Sequence, residues 1–230
     1  MSLEKKCLII FDCDGVIVDS APHYIGVYNK ICVKYNKNFH IKTVDEFRTW
    51  YDSRWENNFY SLGFSEQDMP EILDYESKIV NYDEITLFDN IKEILLELNK
   101  YYYMAIASTT PEEKIRKKLE KENLENIFPV ISGGDDRLSD KEMKIKKVID
   151  CFNLSPDKCV MIGDTVMDIV SSRKLGVKCI ALACGWNSVT RLEEASPCII
   201  IESHKDLLSA VQNVFAMSGS VSLRSLATKL

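Results

Sequence analysis

Apolar residues run unbroken from Leu8 to Phe11 and stop at Asp12, a short isoleucine-rich stretch that predicts a strand buried on both faces. Similar runs at 103–107, 130–132, 159–162, 178–183 and 198–201 predict further strands. Between them, apolar positions recur at helical spacing over 91–100, from Pro111 to about 123, from about 139 to 152, and over 165–175 and 206–215. Strands alternating with helices in this way predict parallel βαβ units.

The stretch after the first strand has a different texture. Residues 21–35 carry Ile25, Tyr28, Ile31, Cys32 and Tyr35 on one helical stripe. Residues 44–62 are rich in aromatic side chains and interrupted near Asp52-Ser53, and 66–82 again have helical spacing, with Pro70 in the first turns. No buried strand is predicted there. The pattern predicts a core made of 1–19 and 87–216, a helical insertion at 20–86, and a serine-rich, weakly patterned tail at 217–230. Two helix starts carry capping-box spacing: Thr110-Pro111-Glu112-Glu113, with proline at the first helical position, and Ser139-Asp140-Lys141-Glu142.

Composition narrows the classes of function. The chain has 230 residues, 46% hydrophobic and 28% charged, and a net charge of −6, which argues against a nucleic-acid partner. There is no apolar run long enough to span a membrane, and the start of the chain is too short and charged for a secretory signal. The eight cysteines form no Cys-x-x-Cys pair and several lie in apolar runs, the usage of buried free thiols in a reducing compartment. The reading is a cytoplasmic protein.

Parallel strands share one carboxyl edge, where ligands bind in open α/β sheets. That edge is predicted to gather Asp12 and Asp14, Ser108, Lys141, and Asp164 with Asp168. The first motif is also what an acidic strand-to-helix turn would look like, with Asp12 capping and Gly15 supplying a positive φ. Packed carboxylates would raise one another's pKa unless a cation intervened, and an all-oxygen set suits a hard cation such as magnesium. A hydroxyl and an ammonium beside such a cluster make a phosphoryl site, in which a carboxylate can attack.

FDCDGVIVDS, IASTT, DKEMKIKKVI and IGDTVMDI, in this order, resemble the four motifs of the haloacid dehalogenase-like superfamily. The DSAPH continuation and the late CGWNS…LEEASPCIIIESHKDLL stretch resemble its phosphoglycolate phosphatase-like branch. The resemblance implies a three-layer, Rossmann-like α/β core with a mainly parallel sheet and a helical cap inserted after the first motif. It implies that Asp12 is the nucleophile, forming an aspartyl-phosphate, and that Asp14 is the general acid and base. Mg2+ would be held by the Asp12 carboxylate, the Asp14 backbone carbonyl and Asp164, with Asp168 in or near the layer behind these ligands, while Ser108 and Lys141 hold the phosphoryl group.

Lys144, Lys146 and Lys147 rival Lys141, although a lysine in the first turn of a helix opposes the helix dipole and should have a reason to be there. Cys13 reads as a small filler, and His23 as either substrate-facing or idle. Arg48, Arg54, Trp50 and Trp55 are candidates for touching the leaving group, or else form the insertion's own core and solvated face. The expected substrate is a small phosphorylated metabolite, phosphoglycolate-like. A phosphomutase with the same four motifs is the alternative. A receiver-like signalling domain is less well matched, because a helical insertion follows the first strand directly.

Overall fold

In the computed structural model, which describes residues 5–134 and 140–217, all six strands form where the pattern places them, within a residue or two at the ends. They are β1 (Leu8–Phe11), β2 (Tyr103–Ala107), β3 (Val130–Ser132), β4 (Cys159–Gly163), β5 (Lys178–Leu182) and β6 (Ile199–Ile201). Every pairing is parallel, in the order β3-β2-β1-β4-β5-β6. Cys198 lies just before β6, although its N–H still donates to the Cys179 carbonyl at 2.9 Å. The chain builds outward from β1 on one side and then on the other, so the strand order switches direction beside β1. Loops at the carboxyl ends diverge there and leave a crevice.

Between β1 and β2 lie α1 (Ala21–Lys34), α2 (Val44–Trp50), α3 (Trp55–Ser61) and α4 (Met69–Ile79). The predicted interruption at Asp52-Ser53 separates α2 from α3, for a local reason. The Asp52 carboxylate accepts the Arg54 N–H at 2.8 Å and the Asn58 side chain accepts the Asp52 N–H at 2.7 Å, so side chains take the backbone donors a continuous helix would use. These four helices pack around their own aromatic cluster, in which Tyr28, Phe47 and Phe59 are buried. One outside residue joins it: Trp186, from the loop after β5.

The core layers follow from the period-two alternation of side chains along each strand. Ile9 and Phe11 face α5 (Ile91–Leu98), α6 (Glu112–Lys121) and, later in the chain, a helix at Leu207–Met217. Leu8 and Ile10 face α7 (Lys141–Phe152), α8 (Val166–Lys174) and α9 (Val189–Ala195). The helix at Leu207–Met217, α10, completes the first layer. All four β1 side chains are fully buried, each contributing roughly 1.5–3 kcal/mol, which offsets the cost of delivering carboxylates to the strand's end. Beyond Met217, the predicted tail lies outside the described residues.

Candidate active site

Register brings the predicted residues together. Phe11 pairs with Ile106 on one side and Ile162 on the other, and the Asp12 N–H continues the ladder onto the Ile162 carbonyl at 2.9 Å. Asp12 is thus level with Ala107 and Gly163, one residue short of Ser108 and Asp164. Lys141 opens α7, and Asp168 lies in the first turn of α8. Asp164, Asp168, Ser108 and Lys141 are all buried.

Gly15 is what lets the chain turn back over this edge. Its φ is +74°, a region L side chains rarely adopt, and a Cβ there would lie 2.0 Å from Asp164 Oδ2. The positive φ read from the motif is therefore present together with the clustered carboxylates. Gly15→Ala is expected to lower stability by at least about 2 kcal/mol, from the left-handed backbone and the clash combined, and to displace Asp164. Denaturant unfolding and metal titration would check this; a variant with native stability and metal affinity would contradict the close approach.

Lys141 sits between two carboxylates, 2.7 Å from Asp12 Oδ2 and 2.9 Å from Asp168 Oδ1. Burial works against its ammonium, but Asp12 and Asp168 outweigh burial and hold its pKa above the ordinary lysine value. The rival lysines are occupied elsewhere or exposed: Lys144 donates to the Gly133 carbonyl at 2.7 Å, Lys146 pairs with Asp150, and Lys147 lies on the outer face. The lysine that opposes the dipole at the start of α7 has its reason in those two partners.

Asp12 Oδ1 also accepts the Cys13 N–H at 2.7 Å. Its pKa is pushed up to about 6, by burial first, with Lys141 opposing and Asp168 adding to the rise. Asp164 is pushed well above the carboxylate range by burial and by its neighbours Asp168 and Asp12, although Oδ2 accepts the Trp186 N–H at 2.7 Å. Its other oxygen, Oδ1, is buried without a hydrogen-bond partner among the described residues.

Asp12, Asp164 and Asp168 offer carboxylate oxygens within 4.8 Å of one another. Asp168 is largely spoken for: Oδ2 accepts from the Thr165 hydroxyl (2.7 Å) and N–H (3.1 Å) in a capping box, and Oδ1 faces Lys141. A single lysine against three buried carboxylates, with an orphaned oxygen on Asp164, is a donor set that fits a hard divalent cation. The Asp14 carboxylate lies outside this group, leaving its backbone carbonyl for the role implied by the resemblance.

Sequence reasoning missed what surrounds Asp14. Thr110 Oγ1 bonds Asp14 Oδ2, and the Tyr82 hydroxyl lies 3.3 Å from the same oxygen. The buried Ser20 hydroxyl also favours the ionised form of this carboxylate. Burial pushes the Asp14 pKa up against these hydroxyls, and Asp14 Oδ1 is buried without a hydrogen-bond partner among the described residues. The predicted capping box at Thr110 is accordingly corrected: α6 is capped at Pro111 with no side-chain bond, because the threonine hydroxyl turns to the carboxylate. At α7 the cap is the Asp140 side chain, which accepts the Glu142 N–H at 2.9 Å, while Ser139 lies outside the described residues. Cys13, read as a filler, has Sγ 3.3 Å from the Tyr82 hydroxyl. Only the sequence order of Thr110 after Ser108 hinted at its role; Tyr82 carried no signal.

A cavity of about 1010 Å³ opens between this edge and the helical segment, lined by Asp12, Asp14, Ser108 and Lys141 on one side and by Arg54 and Trp55 on the other. The other two segment candidates face elsewhere. Arg48 donates to the Gly185 and Cys184 carbonyls at 2.8 and 2.6 Å, tying α2 to the loop after β5. Trp50 packs within the aromatic cluster, edge-to-face with Tyr28 at 5.0 Å between ring centroids. His23 accepts the Asn81 N–H at 3.3 Å and lies outside the cavity lining.

The haloacid dehalogenase-like hydrolase family model matches residues 9–182, from β1 to the end of β5. A phosphoglycolate phosphatase of Synechococcus elongatus is 24% identical, over 88% of this chain and 96% of its own length. The pyrophosphatase PpaX of Oceanobacillus iheyensis is 25% identical, over 90% of this chain and 98% of its own. A crystal structure of a predicted phosphatase from Clostridium acetobutylicum superposes with a TM-score of 0.79 at 22% identity, covering 91% of this chain and all of that one, so the fold is shared. With the motif residues meeting at one sheet edge and the family model spanning most of the chain, this protein belongs to the haloacid dehalogenase-like hydrolases.

Proposed function

We propose that the chain is a magnesium-dependent phosphatase that hydrolyses a small phosphorylated metabolite, phosphoglycolate-like, through an aspartyl-phosphate on Asp12. One observation carries the reading: Asp12, which faces the cavity, shares Lys141 with Asp168 beside the unpartnered oxygen of Asp164. Relatives named phosphoglycolate phosphatase and pyrophosphatase support the choice of phosphoryl transfer to water.

Asp12 attacks phosphorus through a carboxylate oxygen, held in orientation by the Cys13 N–H and the Lys141 ammonium. Lys141 and Ser108 hold the non-bridging oxygens, where charge develops. Asp14 gives a proton to the leaving oxygen, then takes one from the water that cleaves the acyl phosphate. Bound Mg2+, held by Asp12, Asp164 and the Asp14 carbonyl, would neutralise charge on the phosphoryl oxygens and between the carboxylates.

Residues 20–86 act as a cap that selects the leaving group through Arg54 and Trp55, over the core of 1–19 and 87–216. All eight cysteines are free, which supports a cytoplasmic setting, and no helix among the described residues is long and apolar enough to cross a membrane.

A screen of phosphate release with magnesium, across 2-phosphoglycolate, pyrophosphate, sugar phosphates and nucleotides, tests the reading. Turnover is expected to be highest on a small substrate such as 2-phosphoglycolate. Absence of phosphate release from every member, by folded protein with magnesium, would rule the function out.

A further inference from the structure

The loop after β5 is bonded on two sides. On one side it wraps Asp164 at the end of β4: the Trp186 N–H donates to Asp164 Oδ2 at 2.7 Å, and the Asn187 N–H to the Asp164 main-chain carbonyl at 3.3 Å. The approach is close, since a Cβ on Gly185 would lie 2.3 Å from Asp164 Oδ2. Asp164 is fully buried, so this loop, and not solvent, settles where its carboxylate lies.

On the other side the same loop is bonded to the helical segment. Arg48 of α2 donates to the Cys184 and Gly185 carbonyls at 2.6 and 2.8 Å, and its own carbonyl accepts the Ser188 N–H at 3.3 Å. The Tyr51 carbonyl accepts from Asn187 Nδ2 at 3.3 Å and from Arg191. The Trp186 indole goes further in. It packs among Tyr51, Tyr24 and Phe47, at 4.6, 4.9 and 5.4 Å between ring centroids, and its Nε1–H donates to the Ser20 hydroxyl at 3.0 Å.

One residue therefore has its main chain on a carboxylate of the candidate ion site and its side chain in the core of the segment. A tryptophan buries about 150–250 Å², a large loss of apolar contact if the indole left the cluster, so a segment that shifts carries the loop with it. The main-chain N–H then leaves Asp164 Oδ2, and a ligand whose outer partner is gone is less well oriented to hold a cation. The coupling runs both ways: whatever the seated segment adds to ion affinity, the ion adds to the seating.

We infer that Trp186 is a positioning residue for Asp164, and that it links magnesium affinity to the seating of the helical segment. This rests on the reading of Asp164 as a ligand of the ion. A side chain that only filled the aromatic core would alter stability, without making exchange in the segment respond to magnesium.

The test measures magnesium binding by calorimetry, and amide hydrogen exchange over 20–86 with and without magnesium, in the full chain. In the parent, magnesium should slow exchange in the segment. Trp186→Ala should bind magnesium about tenfold more weakly, the size of effect seen when an outer partner of a metal ligand is lost, and Arg48→Met, which unties the loop from α2, about fivefold. Both should lose the magnesium-dependent slowing, and Trp186→Phe, which keeps a ring in the cluster, should recover most of it. Parental affinity in either Trp186→Ala or Arg48→Met overturns the inference. So does exchange in the parent's segment that ignores magnesium, or a Trp186→Phe no better than Trp186→Ala. Asp164→Asn separates the two readings: if it binds magnesium like the parent, or if the parent binds none, the assignment of the ligand falls and this inference with it. Should Trp186→Ala fail to fold, Arg48→Met decides, since Arg48 lies outside the cavity lining and touches only the loop's main chain on that side.

Discussion

Asp12→Asn is expected to form no phosphoryl-enzyme under any condition, whereas Asp14→Asn should accumulate one. Asp12 is buried and Asp14 half-buried on the same turn, and their surroundings separate them. Asp12 has an oxygen against Lys141 and lines the cavity beside the cluster of Asp164 and Asp168, where an attacking carboxylate is needed. Asp14 faces hydroxyls, and burial raises its pKa, as suits a group that must hold a proton before giving it up. With 4-nitrophenyl phosphate the leaving group needs little protonation, so Asp12 is still phosphorylated when Asp14 is an amide. The acyl phosphate then lacks the base that activates water and persists. Intact-protein mass spectrometry after a short exposure should show one added phosphoryl group on Asp14→Asn and none on Asp12→Asn. The slowing of the second step should be about a hundredfold or more. A phosphoryl group found on Asp12→Asn would reverse the two roles.

The sheet was legible because its signal is local. Each strand is an apolar run that ends at a polar residue, and the alternation with helices forces a parallel arrangement, so the strands' carboxyl ends meet at one edge. That is why Asp12, Ser108 and Asp164 were found together from spacing alone. The break between α2 and α3 was legible for the same reason, since Asp52 and Asn58 act on backbone a few residues away.

What could not be read was long-range partnership. Thr110 has the spacing of a capping residue, and nothing within its own helix reveals that its hydroxyl turns to a carboxylate 96 positions earlier. Tyr82 lies 68 positions from Asp14, in a segment whose other aromatics are mostly core. Arg48 and Arg54 are six positions apart with the same chemistry. Only the packing of α2 against the loop after β5 decides that Arg48 ties main-chain carbonyls while Arg54 faces the cavity.

The second large effect concerns the cation, and its sign differs between activity and stability. Chelation should abolish hydrolysis of 4-nitrophenyl phosphate and magnesium restore it, with calcium restoring it poorly because its larger, looser shell misplaces the nucleophile. Without the ion, Asp12, Asp164 and Asp168 crowd around one lysine, and burial and mutual repulsion hold Asp164 well above the carboxylate range. A folded-state pKa raised in this way means that an ionised Asp164 destabilises the metal-free fold near neutral pH. Magnesium at a hundred times its dissociation constant contributes about 2.7 kcal/mol, which for a chain of this length is a rise in melting temperature of about 5–10 °C. Asp164→Asn should therefore melt higher than the parent chain in chelator, because the amide removes the charge while its oxygen can still accept the Trp186 N–H. It should also lose the magnesium-dependent rise, and activity should fall at least about a thousandfold, the equivalent of roughly 4 kcal/mol of lost transition-state stabilisation. Thermal melts with and without magnesium, run beside the assay, distinguish a lost ligand from a damaged fold. A variant that melts lower than the parent in chelator, or that keeps the magnesium response, would show that Asp164 does not hold the ion.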